Sequence, residues 1–565
     1  MPSLGDTGNE RSQRGGNLAA GLIALLGLLA RLWTASGTFL NPDEALHFRL
    51  ANQVSLGLAY RAGLTASHPP LLTFLLHFWR VPDNSELWLR LPSVLAGPVF
   101  CWMFYKWLAK AAGELAGLIG LLFVALLPPV VQIGAEVRQY ALLLAFLASA
   151  LYFLDEAFAK NSSRDMAVFS LFLYLAMLSH YSAFLFAAAL GIYAVIRMFT
   201  QHSPRHLLAV WAMGQLVGLA LAAFLYKTHI SKLGVGESRT VLQGWMSEFY
   251  LHHSYFDPTR DNPFIFLLGH SFGVFQYFFG QLAVGDVMGL LFVVGVVPLL
   301  REKSSSADRD RSRQLAVLLL FPFAIAAVAG LAHIYPYGGT RHVAFLIIPG
   351  TAGVAVAMAR LAAGRWGRGL TIAALVIVVC VALGRPRRPR MDRADQSRTQ
   401  MAAAMKFIRQ NINPSDVIFT DYESDLVLGH YLCQQLPISF EASIPDFEVF
   451  SCGHRVVSAS YRDATIFAPD NFVNLWERLV QTYRLKPGNV VWIFQAGWEV
   501  KLPEKLRSEF AQFRDLRFES FGNNIKLFKL TVGQPMPGSS SSFPVEFSKL
   551  RLSAPPAYSA AMRRE

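Results

Sequence analysis

Long apolar runs separated by short charged or aromatic connectors set the pattern of this chain. The first run, Leu18 to about Leu32, is long enough with its flanks to cross a bilayer. Later runs predict spans near 91–108, 114–134, 139–158, 166–180, 182–199, 207–227, 284–300, 314–333, 342–360 and 370–384. That makes an α-helical polytopic membrane protein of about 11 transmembrane helices. Between the first two spans, Ala45–Tyr60 and Leu71–Trp79 are amphipathic stretches suited to the membrane interface, broken by Ser67-His68-Pro69-Pro70. The aromatic run Phe264–Phe279 fits either a re-entrant or interfacial helix or a further crossing.

Charge orients these spans. Arg11 and Arg14 precede the first run, and Lys106, Lys110, Lys160, Arg164, Arg197, Arg205 and His206 fall in alternate connectors, which predicts a cytoplasmic N-terminus. Ala35-Ser36-Gly37 would pass as a cleavage site, but the many spans that follow favour a retained first helix. The cluster Arg385, Arg387, Arg388, Arg390 and Arg393 would prefer the cytoplasm after the last span. A crossing at 264–279 would satisfy it only by moving Arg301–Arg313 outside, so charge alone leaves the count nearly balanced.

From about Met401 the composition becomes that of a soluble domain. Helix-like Gln400–Asn411, Ser424–Gln435 and Glu504–Phe513 alternate with strand-like Asp416–Thr420, Val490–Phe494 and Asn524–Leu530, which predicts a small α/β domain. The expected organisation is a cytoplasmic tail (1–17), a membrane module (18–384, with outer loops at 41–90 and 228–283), an extracytoplasmic α/β domain (385–532) and a disordered tail (533–565).

The 565 residues are 53% hydrophobic and 16% charged, with mean hydropathy +0.36, which excludes an ordinary soluble globule. The net charge of +13 lies largely between apolar runs, where it sets topology and meets lipid headgroups, so no nucleic-acid partner is implied. No Gly-rich phosphate loop is present. Four cysteines are too few for a disulfide scaffold. Cys433 and Cys452 could pair if the C-terminal domain faces an oxidising compartment.

The candidate chemistry sits at one set of span ends. Asp43 and Glu44 follow the first span, in Asn41-Pro42-Asp43-Glu44-Ala45-Leu46-His47-Phe48. One of these carboxylates could take a proton from an acceptor, and both could equally favour the start of the next helix. On the same predicted face lie His68, Glu136, Arg138, Tyr140, His180, Tyr181, Tyr335, Tyr337, Arg341 and His342. Each alone fits an ion pair, a cap or an interfacial side chain. Together they predict an outward polar cavity with carboxylates for proton transfer and cations for an anion. A sugar carried on a lipid phosphate satisfies that set, because the leaving group is an anion and no nucleotide is needed. A transporter or flippase of a lipid-linked saccharide would use the same cavity without chemistry, although no internal repeat or pair of broken spans supports it.

These motifs, with His68-Pro69-Pro70-Leu71, Glu136-Val137-Arg138-Gln139-Tyr140-Ala141-Leu142-Leu143, Ser179-His180-Tyr181 and Thr340-Arg341-His342, resemble the GT-C membrane glycosyltransferases. The nearest resemblance is to glycosyltransferase family 39, the bacterial relatives of protein O-mannosyltransferases and lipid A aminoarabinose transferases, over about residues 18–384. It implies a polyprenyl-phosphate sugar donor, inverting transfer at an outward-facing site, an extracytoplasmic C-terminal domain, and a location in the cytoplasmic (inner) membrane. It also implies that Asp43, with Glu44 beside it, is the catalytic acid and that Glu136 is the second acidic residue. His68, Arg138 and Arg341 would meet the donor phosphate; Tyr140, His180, Tyr181, Tyr337 and His342 would line the cavity. This chain departs from the pattern at Glu136, where many relatives have Asp, at His68, where some have Lys, and at His342, which stands where Tyr is usual. A divalent metal could assist the leaving phosphate, but no ligand set is legible. The acceptor, whether protein, lipid or glycan, is left open.

Overall fold

Pro128 and Pro129 decide where the membrane unit breaks. In the computed structural model the predicted span 114–134 is two helices, Glu114–Leu126 and Pro128–Ile133. Neither proline has an N–H to return to the turn before it, which strands the carbonyls of Val124 and Ala125. The guanidinium of Arg31, fully buried in the first span, donates to those two carbonyls at 3.0 and 3.1 Å and to Gly27 O at 3.0 Å. A charge that would be costly at this depth is thereby supplied with acceptors.

The structure describes residues 6–233, 251, 253–302, 306–364, 369, 372, 375–376, 396–433, 439–440, 447–461, 463–498 and 500–533. The chain divides into two compact units, Met1–Ser36 with Ala66–Arg388, and Gly37–Thr65 with Pro389–Glu565. Among the described residues of the first unit, eight helices are long and apolar enough to cross a membrane, and Glu114–Leu126 and Pro263–Phe279 are shorter apolar helices. A helix occupies each predicted span up to 342–360, while 370–384 lies outside the described residues apart from isolated positions. The first helix starts earlier than expected, at Asp6, inside the segment read as a polar tail.

Tyr140–Lys160 and Arg341–Ala362 form the centre of this unit, with most of their apolar windows buried, whereas Arg205–Ile230 leaves nearly all of its window outward, as a lipid-facing helix does. Close packing at the centre needs small residues: a Cβ on Gly295 would lie 2.3 Å from Gly353 O. At the C-terminal end of Tyr140–Lys160, Glu156 pairs with Lys110 and Lys160, and Asp155 with Arg197 and the Tyr193 hydroxyl. Tyr140 lies at the other end, about 30 Å away along the axis.

The second unit is a seven-stranded sheet in the order β2-β3-β4-β1-β5-β7-β6. Its strands are β1 (Val417–Thr420), β2 (Ser439–Phe440), β3 (Phe447–Ser451), β4 (Arg455–Ala459), β5 (Val490–Ala496), β6 (Phe518–Ser520) and β7 (Ile525–Thr531). β1 runs parallel to both β4 and β5, and the outer pairings are antiparallel. Helices Arg398–Asn411, Tyr422–Cys433 and Leu502–Glu509 stand close to where the pattern predicts them. The helix Pro469–Thr482 and strands β2, β3, β4 and β6 are additional to the predicted elements. A disulfide joins Cys433 to Cys452. Most of the predicted disordered tail lies outside the described residues.

Arg31→Met leaves the Val124 and Ala125 carbonyls unpaired at membrane depth. It is expected to lower stability by roughly 2–3 kcal/mol, read as a lower thermal midpoint in detergent, with a midpoint equal to wild type contradicting the carbonyl-pinning role.

Candidate active site

The segment from Gly134 to Gln139, which follows the broken helix and precedes Tyr140–Lys160, carries the buried polar groups Glu136, Arg138 and Gln139. It is folded on itself: Arg138 N donates to Glu136 O at 2.7 Å and Ser93 Oγ to Arg138 O at 3.1 Å. Gln132 Nε2 donates to Glu136 Oε1 at 3.3 Å. The buried Gln139 amide meets His68 Nδ1 at 3.1 Å. The rings of His68 and His180 stack with centroids 5.9 Å apart, and the buried Tyr140 ring lies 5.0 Å from His180. Arg138 stands over Tyr140 at 5.6 Å. His180, in the turn between two spans, is fixed by the Ser182 hydroxyl at 2.7 Å.

Electrostatics brings Arg341 into the same group. Burial, then the charges of Arg138 and Arg341, push the His180 pKa down to about 3, so its imidazole is neutral at physiological pH. Burial raises Tyr335 well above the usual phenol value, and its hydroxyl donates to His342 O at 3.1 Å. The structure therefore brings together His68, Glu136, Arg138, Tyr140, His180 and Arg341. Tyr335, already on the predicted polar face, lies close by, and Gln139 and Ser182, which carry no charge to mark them in the sequence, join them.

Other expected cavity residues have different partners. The Tyr181 hydroxyl bonds Nδ1 of the buried His229, a residue in the π-helical turn Tyr226–Ile230 that the sequence reading passed over. Tyr337, fully buried, bonds Ser271 at 2.7 Å, and its backbone N–H donates to Ser254 O at 2.8 Å. His342 Nδ1 lies 3.4 Å from the Thr340 hydroxyl.

Asp43 and Glu44 belong to the second unit, in the first turn of the helix Pro42–Ala51. Glu44 performs the helix-capping role. Its backbone N–H donates to Asn41 Oδ1, and Asn41 N donates back to Glu44 Oε2, both at 3.0 Å. Glu44 is fully buried and Asp43 only half-buried. Within this unit the Tyr461 pKa is pushed up to about 12, by burial first and then by the charges of Glu423 and Asp43. Glu423 and Tyr461 carried no sequence motif. Among the described residues no group of three or more His, Cys, Asp or Glu could hold a metal ion.

Residues 67–227 match the sequence model of the dolichyl-phosphate-mannose-protein mannosyltransferase family. No curated protein matches the chain. Among solved structures, ArnT from Cupriavidus metallidurans bound to undecaprenyl phosphate aligns at 14% identity, covering 92% of this chain and 99% of that one, with a TM-score of 0.48. The Archaeoglobus fulgidus oligosaccharyltransferase AglB, in complex with an inhibitory peptide and a dolichol-phosphate, aligns at 10% identity over 85% and 69%, with a TM-score of 0.44. The family match covers less than half of the chain, and the matched segment contains His68-Pro69-Pro70-Leu71, Glu136–Leu143 and Ser179-His180-Tyr181.

The His180 shift has a testable sign. A histidine depressed in the folded state contributes stability above its unfolded value near 6.5, and loses it as pH falls from there toward 3. His180→Asn should therefore reduce the acid loss of thermal stability between pH 7.5 and 4.5, by about 2 kcal/mol relative to wild type. Equal losses in both proteins would contradict a neutral His180 between two cations.

Proposed function

We propose that this protein transfers a monosaccharide, with inversion, from a polyprenyl-phosphate donor to a hydroxyl or similar nucleophile on an acceptor, at the outer face of the cytoplasmic membrane. One observation carries the reading. His68, Arg138, Tyr140 and His180 cluster in the membrane unit, where burial first, and then the charges of Arg138 and Arg341, keep the His180 imidazole neutral down to about pH 3, so that two guanidiniums give this cluster a positive field. Such a field suits a leaving lipid phosphate, and the matched family is described by a lipid-phosphate sugar. The outward orientation rests on the positive-inside pattern of the connectors.

In this mechanism Asp43 takes the proton of the acceptor hydroxyl. The oxygen attacks the anomeric carbon from the face opposite the phosphate, the carbon–acceptor bond forms as the carbon–phosphate oxygen bond breaks, and the lipid phosphate leaves with the electron pair. Arg138 and Arg341 receive that charge. His68, placed by Gln139, adds a hydrogen bond. Glu136 is assigned as the second acidic residue of the mechanism. The base falls to Asp43 rather than Glu44 because the Glu44 carboxylate already caps its helix.

The test is transfer of radiolabel from a panel of polyprenyl-phosphate monosaccharides in membranes carrying wild type or Asp43→Asn. Label is expected in an acceptor with wild type, and loss of the base should lower the rate by about 10²–10⁴-fold or more. Normal turnover by Asp43→Asn removes the base assignment. Label moved across the bilayer by both proteins without transfer identifies a flippase instead.

A further inference from the structure

The helix Pro42–Ala51 is fastened to the α/β domain along its whole length. At its start Leu40 N donates to the Tyr431 hydroxyl at 2.7 Å, and a Cβ on Gly497, just beyond β5, would meet Pro42 at 2.9 Å. In its last turns the Phe48 ring packs edge-on to His430 at 4.7 Å. There too Arg49 reaches Asp425 at 3.0 Å and Glu448 at 3.5 Å. Asp425 is almost wholly buried on Tyr422–Cys433, and Glu448 stands on β3.

Position along the sheet gives this fastening its meaning. Glu423 follows the carboxyl end of β1, Tyr461 that of β4 and Gly497 that of β5. Those three parallel strands end where α/β sheets usually bind ligands, at the switch in strand order. The first turn of the Pro42–Ala51 helix, with Asp43, lies at that edge.

We infer that Arg49 is a positioning residue for the transfer reaction: through its ion pairs to Asp425 and Glu448 it fixes the register of the helix that presents Asp43, so that the α/β domain serves to place the base. The inference rests on the reading of Asp43 as the base. A purely structural ion pair would affect folding alone. The distinguishing consequence is kinetic, because a base displaced by about 1 Å can cost on the order of 10²-fold in rate without weakening donor binding.

The experiment uses the full chain in detergent or liposomes, with the polyprenyl-phosphate sugar that wild type turns over as the probe. Arg49→Gln alone leaves Asp425 buried without its cation, so Arg49→Gln with Asp425→Asn is the principal variant, being neutral at both positions. Its kcat is expected to fall ~100-fold with the donor KM unchanged, the acid limb of the pH profile unmoved and the thermal midpoint near that of wild type. Arg49→Lys, which keeps a cation for Asp425, should recover to within about tenfold of wild type. Wild-type kcat in the neutral pair, or a raised KM at unchanged kcat, overturns the positioning role while Asp43→Asn remains inactive. An active Asp43→Asn overturns both this inference and the base assignment.

Discussion

Inside hydrocarbon no backbone carbonyl can be left without a donor, and that constraint governs how the membrane unit accommodates a broken helix beside its polar cluster. Two consecutive prolines end one helix and free two carbonyls, and the buried Arg31 covers both. With the break stabilised, the chain leaves the helix at Ile133 and runs through Glu136, Arg138 and Gln139 before the next helix begins at Tyr140. The polar segment thus follows closely on the break. A continuous helix through 128–139 would distribute these side chains around its axis instead of turning several of them toward His68 and His180.

Much of this was legible in the sequence. Apolar runs of span length have few alternative structures, so their helices fall where the hydropathy places them, and the alternation after Met401 marked strands β1, β5 and β7 because their flanks switch period clearly. The short strands β2, β3, β4 and β6 were not legible: their pairing is nonlocal, and segments of two to five residues carry too little pattern. In the candidate site, charged and aromatic residues at span ends stood out, which is why the sequence pointed to His68, Arg138, Tyr140, His180 and Arg341, residues that the structure clusters. Gln139, Ser182 and His229 were missed because their roles arise from who they meet. Arg31 was passed over because it falls inside an apolar run, where its only signal is the Pro128-Pro129 pair almost a hundred residues away.

The recruitment of Gly37–Thr65 into the α/β unit is the other feature that local pattern does not carry. These residues lie between apolar spans, and composition reads them as a loop of the membrane module. Their partners, Asp425, Tyr431 and Glu448, belong to a domain far along the chain, and only the tertiary contacts join them. The disulfide from Cys433 to Cys452 closes the end of the helix that receives them.

That separation imposes an order on biogenesis. Arg49 and Asp425 are 376 residues apart. At a synthesis rate of about 5–20 residues per second, the segment carrying Asp43 leaves the ribosome roughly 20–75 s before its partner exists. The membrane helices between them can insert during that interval, while the acid-bearing helix waits without its platform. A chain interrupted anywhere before the α/β domain therefore carries its membrane helices while the Pro42–Ala51 helix still lacks the partners that fasten it.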